Sequence, residues 1–439
     1  MTTTPKAAIR RLAAARLISI TGGAAAYVGL TFAIYERTRS PGWVAATLLL
    51  TFGASGLIGP FAGILGDRFD RRTVMIWSDL AGAACFAAMA FASDPAILLA
   101  LAFASAVAEA PFVSSSGAAI PNLVESEEDL GWANSLVQMG KFAGISLGPA
   151  LGGILYERIG LGGALALNAV SFVVSAMLVS TVHGRFNEGG AADADRDDGA
   201  VAGDGQPRRA KGIRPGLAFI RRDPVLRRLT LAWVFLTLGL GMSMVADAPL
   251  AEDVFDVGAI GFSLIVAAWG LGSVIGSFLG RFLTPRTEGH AIVWGTVLIA
   301  VGGGGMGLSP IFWPVVAFGL VMGIGDSVGL IADQSIRQRR TPDDIRSRVM
   351  AVSDGAWQLA LGIAFIIAGP VLALVGPQGT YSIGGVAAAI TALALLPMLR
   401  RDAEPAPPAS PPERRSFAGA ASSEDADAAA GPNTASNAS

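Results

Sequence analysis

GILGDRFDRR, residues 63–72, decides how this chain is read. It lies between two apolar runs, 44–65 and 74–92, each long enough to cross a bilayer at about 1.5 Å per residue. The five charges of Asp67, Arg68, Asp70, Arg71 and Arg72 do not belong in hydrocarbon, so the stretch is a tight, solvent-facing hairpin between two spanning helices. Arg68, Arg71 and Arg72 put it on the cytoplasmic side by the positive-inside rule. Gly63 and Gly66 let the two flanking backbones approach closely. Asp67 and the arginines can form a latch whose pairing changes with conformation.

The composition around it agrees. Of 439 residues, 52% are hydrophobic and 15% charged, where a soluble chain carries about a quarter charged. Mean hydropathy is +0.55, and the 56 glycines suit packed membrane helices. The formal charge of −2 says little, because the charges are segregated by side. Cys85 is the single cysteine, so no intramolecular disulfide forms. His183 and His290 lie far apart, which supports neither a zinc site nor a catalytic triad. No cofactor, metal or nucleic acid is expected, and no catalytic constellation marks an enzyme. A G-x-x-x-x-G-K-[ST] loop is missing; GGGG at 302–305 lies in an apolar run without the lysine, so an ion gradient is the expected energy source.

Runs of about 18 or more apolar residues number twelve. The first six are 14–35, 44–65, 74–92, 97–120, 133–156 and 161–182. The second six are 229–250, 260–283, 291–308, 311–332, 350–375 and 381–399. With the N-terminus cytoplasmic, nearly all Lys and Arg fall inside, from Lys6 to Arg16, in the Arg68 loop, in the middle linker, at Arg281 and Arg286, from Arg337 to Arg348 and beyond Arg400. The external loops keep only Arg37, Arg39 and Arg158. The expectation is an all-α membrane protein of twelve transmembrane helices with both termini cytoplasmic. Residues 1–182 form one six-helix half and 216–400 the other, with 183–215 a flexible linker and 401–439 a disordered tail. Weak repeats support a duplication: Gly148-Pro149 is echoed by Gly369-Pro370, and GDR at 66–68 by Gly280-Arg281.

The pattern G-x-L-x-D-R-x-x-R-R between the second and third runs resembles the loop signature of the major facilitator superfamily. GISLGPALGG, residues 144–153, is similar to that superfamily's antiporter signature, with Gly144, Gly148, Pro149, Gly152 and Gly153 in place. Gly144, Gly148 and Gly152 share one helix face, a flat groove for a neighbouring helix, and Pro149 can bend it. IPNLVESEEDLGWANSL and RRTPDDIRSRVMAV resemble loops of drug and siderophore exporters of the enterobactin and macrolide type. Two departures stand out. Gly23 occupies the place where that group often has an acid in helix one, and Ser347 replaces a glycine before the eleventh helix. The resemblance implies the major facilitator fold, alternating access, and a gate of Gly63, Asp67, Arg68, Arg71 and Arg72. Asp79, Arg348 and Asp354 are expected to brace that gate.

Carboxylates inside apolar runs cost about 2.5–3.5 kcal/mol each on insertion scales, so they mark function. Glu109, in the middle of the fourth run, leads the candidates for proton coupling, followed by Asp326 in the tenth and Asp247 in the seventh. Tyr27, Phe32, Phe112, Trp233 and Met244 are candidate cavity residues for an amphipathic ligand. The expected activity is export of a small drug-like or siderophore-like molecule by proton antiport. The expected setting is a monomer in the plasma membrane, its partners a small-molecule substrate, protons and the bilayer. The alternatives are transport of lipid or another solute by the same fold, or a non-transporting sensor or scaffold.

Overall fold

A computed structural model describes residues 5–53, 68–124, 127–182, 186 and 214–400. Gly63, Gly66 and Asp67 of the hairpin lie outside the described residues. Every regular element among those residues is helical: α1 (Pro5–Thr38), α2 (Pro41–Leu48, running into a π-helical turn, Leu49–Gly53), α3 (Arg71–Ala90), α4 (Pro95–Leu123) and α5 (Glu127–Ser180) come first. Then follow α6 (Arg214–Arg222), α7 (Pro224–Pro249, ending in a π-helical turn, Leu250–Val254), α8 (Gly258–Gly280), α9 (Glu288–Leu308), α10 (Phe312–Arg340) and α11 (Asp343–Leu395), with a 3-10 turn, Leu396–Arg400. Among the described residues, nine helices are long and apolar enough to cross a membrane.

Aspartates start several of these helices. Asp70 accepts the Thr73 N–H at 2.9 Å, and Asp94 accepts those of Ala96 and Ile97. Asp223 does the same for Val225 and Leu226. Proline follows Asp94 and Asp223 at the first helical position, where its missing N–H costs nothing.

Two glycines divide the longest helices. The apolar stretch within α11 runs 52 residues, roughly 78 Å if straight, far beyond one bilayer crossing. Gly376 breaks it with φ 71° and ψ 176°. Gly160 breaks α5 with φ 70° and ψ 176°. This left-handed geometry is open to glycine and strained for other residues, and the two breaks match within a degree.

Three sequence boundaries move. α1 begins at Pro5, so Arg16 sits roughly three turns inside a helix and outside any cytoplasmic tail. α10 runs to Arg340 and α11 starts at Asp343, so Arg337 is helical and the expected polar loop shrinks to Thr341 and Pro342. The expected linker ended at residue 215, but residues 214–222 form α6, a short helix ahead of the first expected spanning run, because Gly216 and Ile220 share a face that buries against α7 and the start of α11.

The cores differ along the bundle. One cluster draws on both sequence halves: Val28, Phe32, Tyr35 and Leu48 pack with Val245, Phe262, Ile265 and Phe365. Toward the N-terminal end, Ile9, Leu12, Met75, Phe112 and Ile120 form a cluster of first-half residues only. Val225, Leu229, Ile292 and Ile336 form another of second-half residues only. The halves thus share a core that includes Tyr35, beside which Leu30, Ile34, Leu98 and Leu165 form a first-half cluster, and each half keeps a core of its own toward the other end.

Candidate functional site

α1 and α5 pack through the glycine face read from the sequence. A Cβ on Gly144 would lie 2.9 Å from Ile20 Cγ2, one on Gly148 2.7 Å from the Thr21 carbonyl, and one on Gly152 2.6 Å from the Ala25 carbonyl. Any side chain there forces the backbones apart. Gly153 turns the other way, onto α8, where a Cβ would lie 2.8 Å from Ser263 Cβ. Ser146, on the same helix, donates to the Gly270 carbonyl at 3.4 Å. α5 is therefore clamped to α1 by one face and packs on α8 of the opposite half by another.

This packing brings Arg16 into the first half's interior. Its guanidinium lies 5.4 Å from the ring centre of Phe112, on α4. It acts electrostatically on both Glu109 of α4 and Asp79 of α3. Asp79 is 1% exposed and interacts with Ser175 of α5, while its Oδ2 and the Arg16 Nε lack a hydrogen-bond partner among the described residues. Glu109 is half-buried. Two carboxylates thus share one cation, in low dielectric, on three helices. Arg16 was missed by the sequence reading, which counted it as tail. The available signal was its register, four residues beyond the buried Leu12.

The second half has its own network. Arg337 is 3% exposed and pairs with Asp333 at 2.6 Å. It donates further to Thr230 Oγ1 of α7 at 3.0 Å and Ser353 Oγ of α11 at 2.6 Å. Asp354 acts on the same guanidinium from α11. Asp326, two turns up α10, is half-buried and joins no hydrogen bond or ion pair among the described residues. Asp247 accepts the Tyr381 hydroxyl and acts on Tyr27 of α1, so it faces the seam between the halves.

The remaining sequence candidates fall as follows. Arg71 donates to the carbonyls of Ala118 and Phe186, and Arg72 donates to the Ser180 carbonyl, tying the start of α3 to the ends of α4 and α5. Arg68 is exposed. The structure brings Asp79 to Arg16 and Asp354 to Arg337, and joins neither to Arg72 or Arg348 by a hydrogen bond or ion pair among the described residues. Phe32 is buried between Tyr156 and Phe262, and Phe112 is buried under Arg16. Tyr27 meets Phe52 edge-on at 5.3 Å. Trp233 and Met244 are partly buried against the shared core.

At the shared-core end, Arg39 crosses the seam to Glu252 at 2.8 Å and Asp253 at 3.1 Å. Tyr35 donates to Asp253 and Tyr156 to Glu36. The Arg39 side chain is held above the ordinary arginine range, first by its hydrogen bond to Glu252, so it stays charged at any working pH. Its backbone is left-handed, with φ 48°. None of these four contacts was expected from the sequence.

Among the described residues no group of acidic, histidine and cysteine side chains could hold a metal ion. The sequence matches the profile described as Major Facilitator Superfamily over residues 12–292 and 248–431. It is 24% identical over 328 residues to BacE of Bacillus subtilis (strain 168), named for bacilysin export, covering 73% of this chain and 78% of that one. It is 26% identical over 340 residues to the multidrug efflux pump Tap of Mycolicibacterium fortuitum, covering 73% and 78%. The fold is similar to a bacterial homologue of the iron transporter ferroportin, with TM-score 0.67 at 15% identity, covering 90% of this chain and 99% of that one.

Proposed function

The chain belongs to the major facilitator superfamily, and from that premise we propose that it exports a small amphipathic organic molecule, drug-like or siderophore-like, by proton antiport. The nine long apolar helices among the described residues, the two glycine breaks that divide the longest of them and the shorter apolar helix at residues 41–52 support a reading of twelve crossings. They support two six-helix halves, 1–182 and 216–400, working as a monomer in the plasma membrane with both termini cytoplasmic. The polar stretch between the halves is read as a linker and residues 401–439 as a tail.

The observation that carries the reading is the group of Arg16, Glu109 and Asp79. Two carboxylates and one guanidinium sum to −1 inside an apolar bundle, and a proton or a cationic ligand group restores neutrality. A proton and a substrate competing for Glu109 would give exchange. Asp326 and Asp247 supply further proton sites in the second half and at the seam. The relatives named for export and efflux support outward transport.

Accumulation of fluorescent dyes, antibiotics and siderophores in efflux-deficient cells tests this. Expression should lower accumulation of at least one compound, a protonophore should abolish the effect, and Glu109→Gln should cut the energised component at least tenfold at equal membrane levels. No change across the panel would sink broad efflux and favour a lipid carrier or a scaffold. A Glu109→Gln protein that exports normally would move coupling to Asp326 or Asp247.

A further inference from the structure

α6 and the start of α7 form a basic elbow that none of the transport machinery uses. On the nine residues of α6, Arg214, Ala218, Arg221 and Arg222 are exposed on one stripe, while Gly216 and Ile220 are buried on the opposite one. Ile220 packs with Leu226 and Val349, and a Cβ on Gly216 would lie 2.7 Å from the Arg348 carbonyl. The helix is therefore seated against the bundle with its arginines outward.

Those arginines line a concavity of about 460 Å³ with Leu217 and Ala218. The adjacent acid is already committed, since Asp223 caps α7 with one oxygen and takes Arg340 at 3.2 Å with the other. Arg214, Arg221 and Arg222 have no acidic partner among the described residues. Arg227 reaches back to the Arg221 carbonyl at 3.3 Å, which sets α6's C-terminal end beside one particular face of α7. On that face Arg227 is followed at four-residue steps by Leu231, 62% exposed, and Phe235, 42% exposed. The cationic cup of α6 thus lies near an apolar stripe that runs along α7 from Arg227.

We propose that this elbow binds an anionic phospholipid, its phosphate held by Arg214, Arg221 and Arg222 and an acyl chain lying along Leu231 and Phe235. Charge complementarity selects the headgroup, and the nearby α7 stripe selects a lipid over a soluble anion. The site does not depend on the proposed export activity.

The test is thermal unfolding of the detergent-purified full chain, titrated with phosphatidylglycerol, phosphatidylcholine or glycerol phosphate. Phosphatidylglycerol should raise the unfolding midpoint in a saturable way, phosphatidylcholine should not, and glycerol phosphate should act only at concentrations at least a hundredfold higher. The triple variant Arg214→Gln, Arg221→Gln, Arg222→Gln should need at least tenfold more phosphatidylglycerol, whereas Arg286→Gln should respond as the parent does. If the triple variant fails to fold, Ala218→Glu, which sets an acid in the cup, should weaken the response and Ala218→Lys should keep it. An unchanged response in the triple variant or in Ala218→Glu overturns the proposal. So does an equal response to phosphatidylcholine, and glycerol phosphate acting at lipid-like concentration would assign the cup to a free phosphate.

Discussion

Arg337 and Arg16 show how one side chain's register outweighs its neighbourhood in the sequence. Both lie at the edge of a basic cluster, the usual mark of a cytoplasmic segment, yet both stand inside helices: α1 begins at Pro5, roughly three turns before Arg16, and α10 extends past its apolar run to carry Arg337. Arg337 stands four residues after Asp333 on the same face. Replacing Arg337 with Ala leaves that carboxylate buried without its cation, and we expect a loss of about 3–5 kcal/mol, read as a lower unfolding midpoint. The double variant Arg337→Met, Asp333→Asn should recover most of it. The carboxylates at Glu109, Asp247 and Asp326 were legible because an acid in an apolar run is conspicuous on its own. The partners of Glu109 and Asp247 were not, since Arg16 and Tyr381 come from distant segments and only packing brings them near.

Among elements, α5 carries the clearest agreement between pattern and packing. The four-residue glycine spacing announced a groove, and α1 fills it; which helix would fill it could not be read from spacing. Gly152→Leu forces α1 and α5 apart and should lower folded yield severalfold, measured by size-exclusion of the solubilised protein. Gly153 faces α8 across the halves, where a Cβ would lie 2.5 Å from the Ala259 carbonyl oxygen, so Gly153→Val should lower folded yield as well, by parting α5 from α8. The breaks at Gly160 and Gly376 escaped the sequence reading, because the runs beside them already implied hairpins and nothing named the hinge residue. Neither glycine has a heavy atom within 4 Å of a built Cβ, so alanine at either site meets only backbone strain. We expect about 1–3 kcal/mol at each, equal within error, with asparagine costing as much as alanine. Thermal unfolding of both pairs of variants checks this. α6 was hidden for a different reason: nine residues are too few for a reliable period, and the segment lies between the linker and the first expected run of the second half.

At the scale of the whole molecule, the bundle is closed at one end by a core common to both halves and by the Arg39, Glu252, Asp253 and Tyr35 contacts. Sequence polarity foresaw which loops carry charge, but Arg39 was counted only as one of few external cations. The Arg39 side chain is 55% exposed, so salt should weaken its pairs: at 1 M the screening length falls to about 3 Å. The sealed end also bears on electrical insulation. On the proposed proton-coupled reading, protons must not run down the axis unaccompanied, and at this end the described halves are tied by the contacts of Tyr35 and Arg39. Arg39→Ala combined with Tyr35→Phe should therefore make proteoliposomes leak protons in the absence of any substrate, seen as faster decay of an imposed pH gradient. High salt should produce a smaller leak of the same kind in the parent protein, and a membrane holding the parent at low salt should keep its voltage.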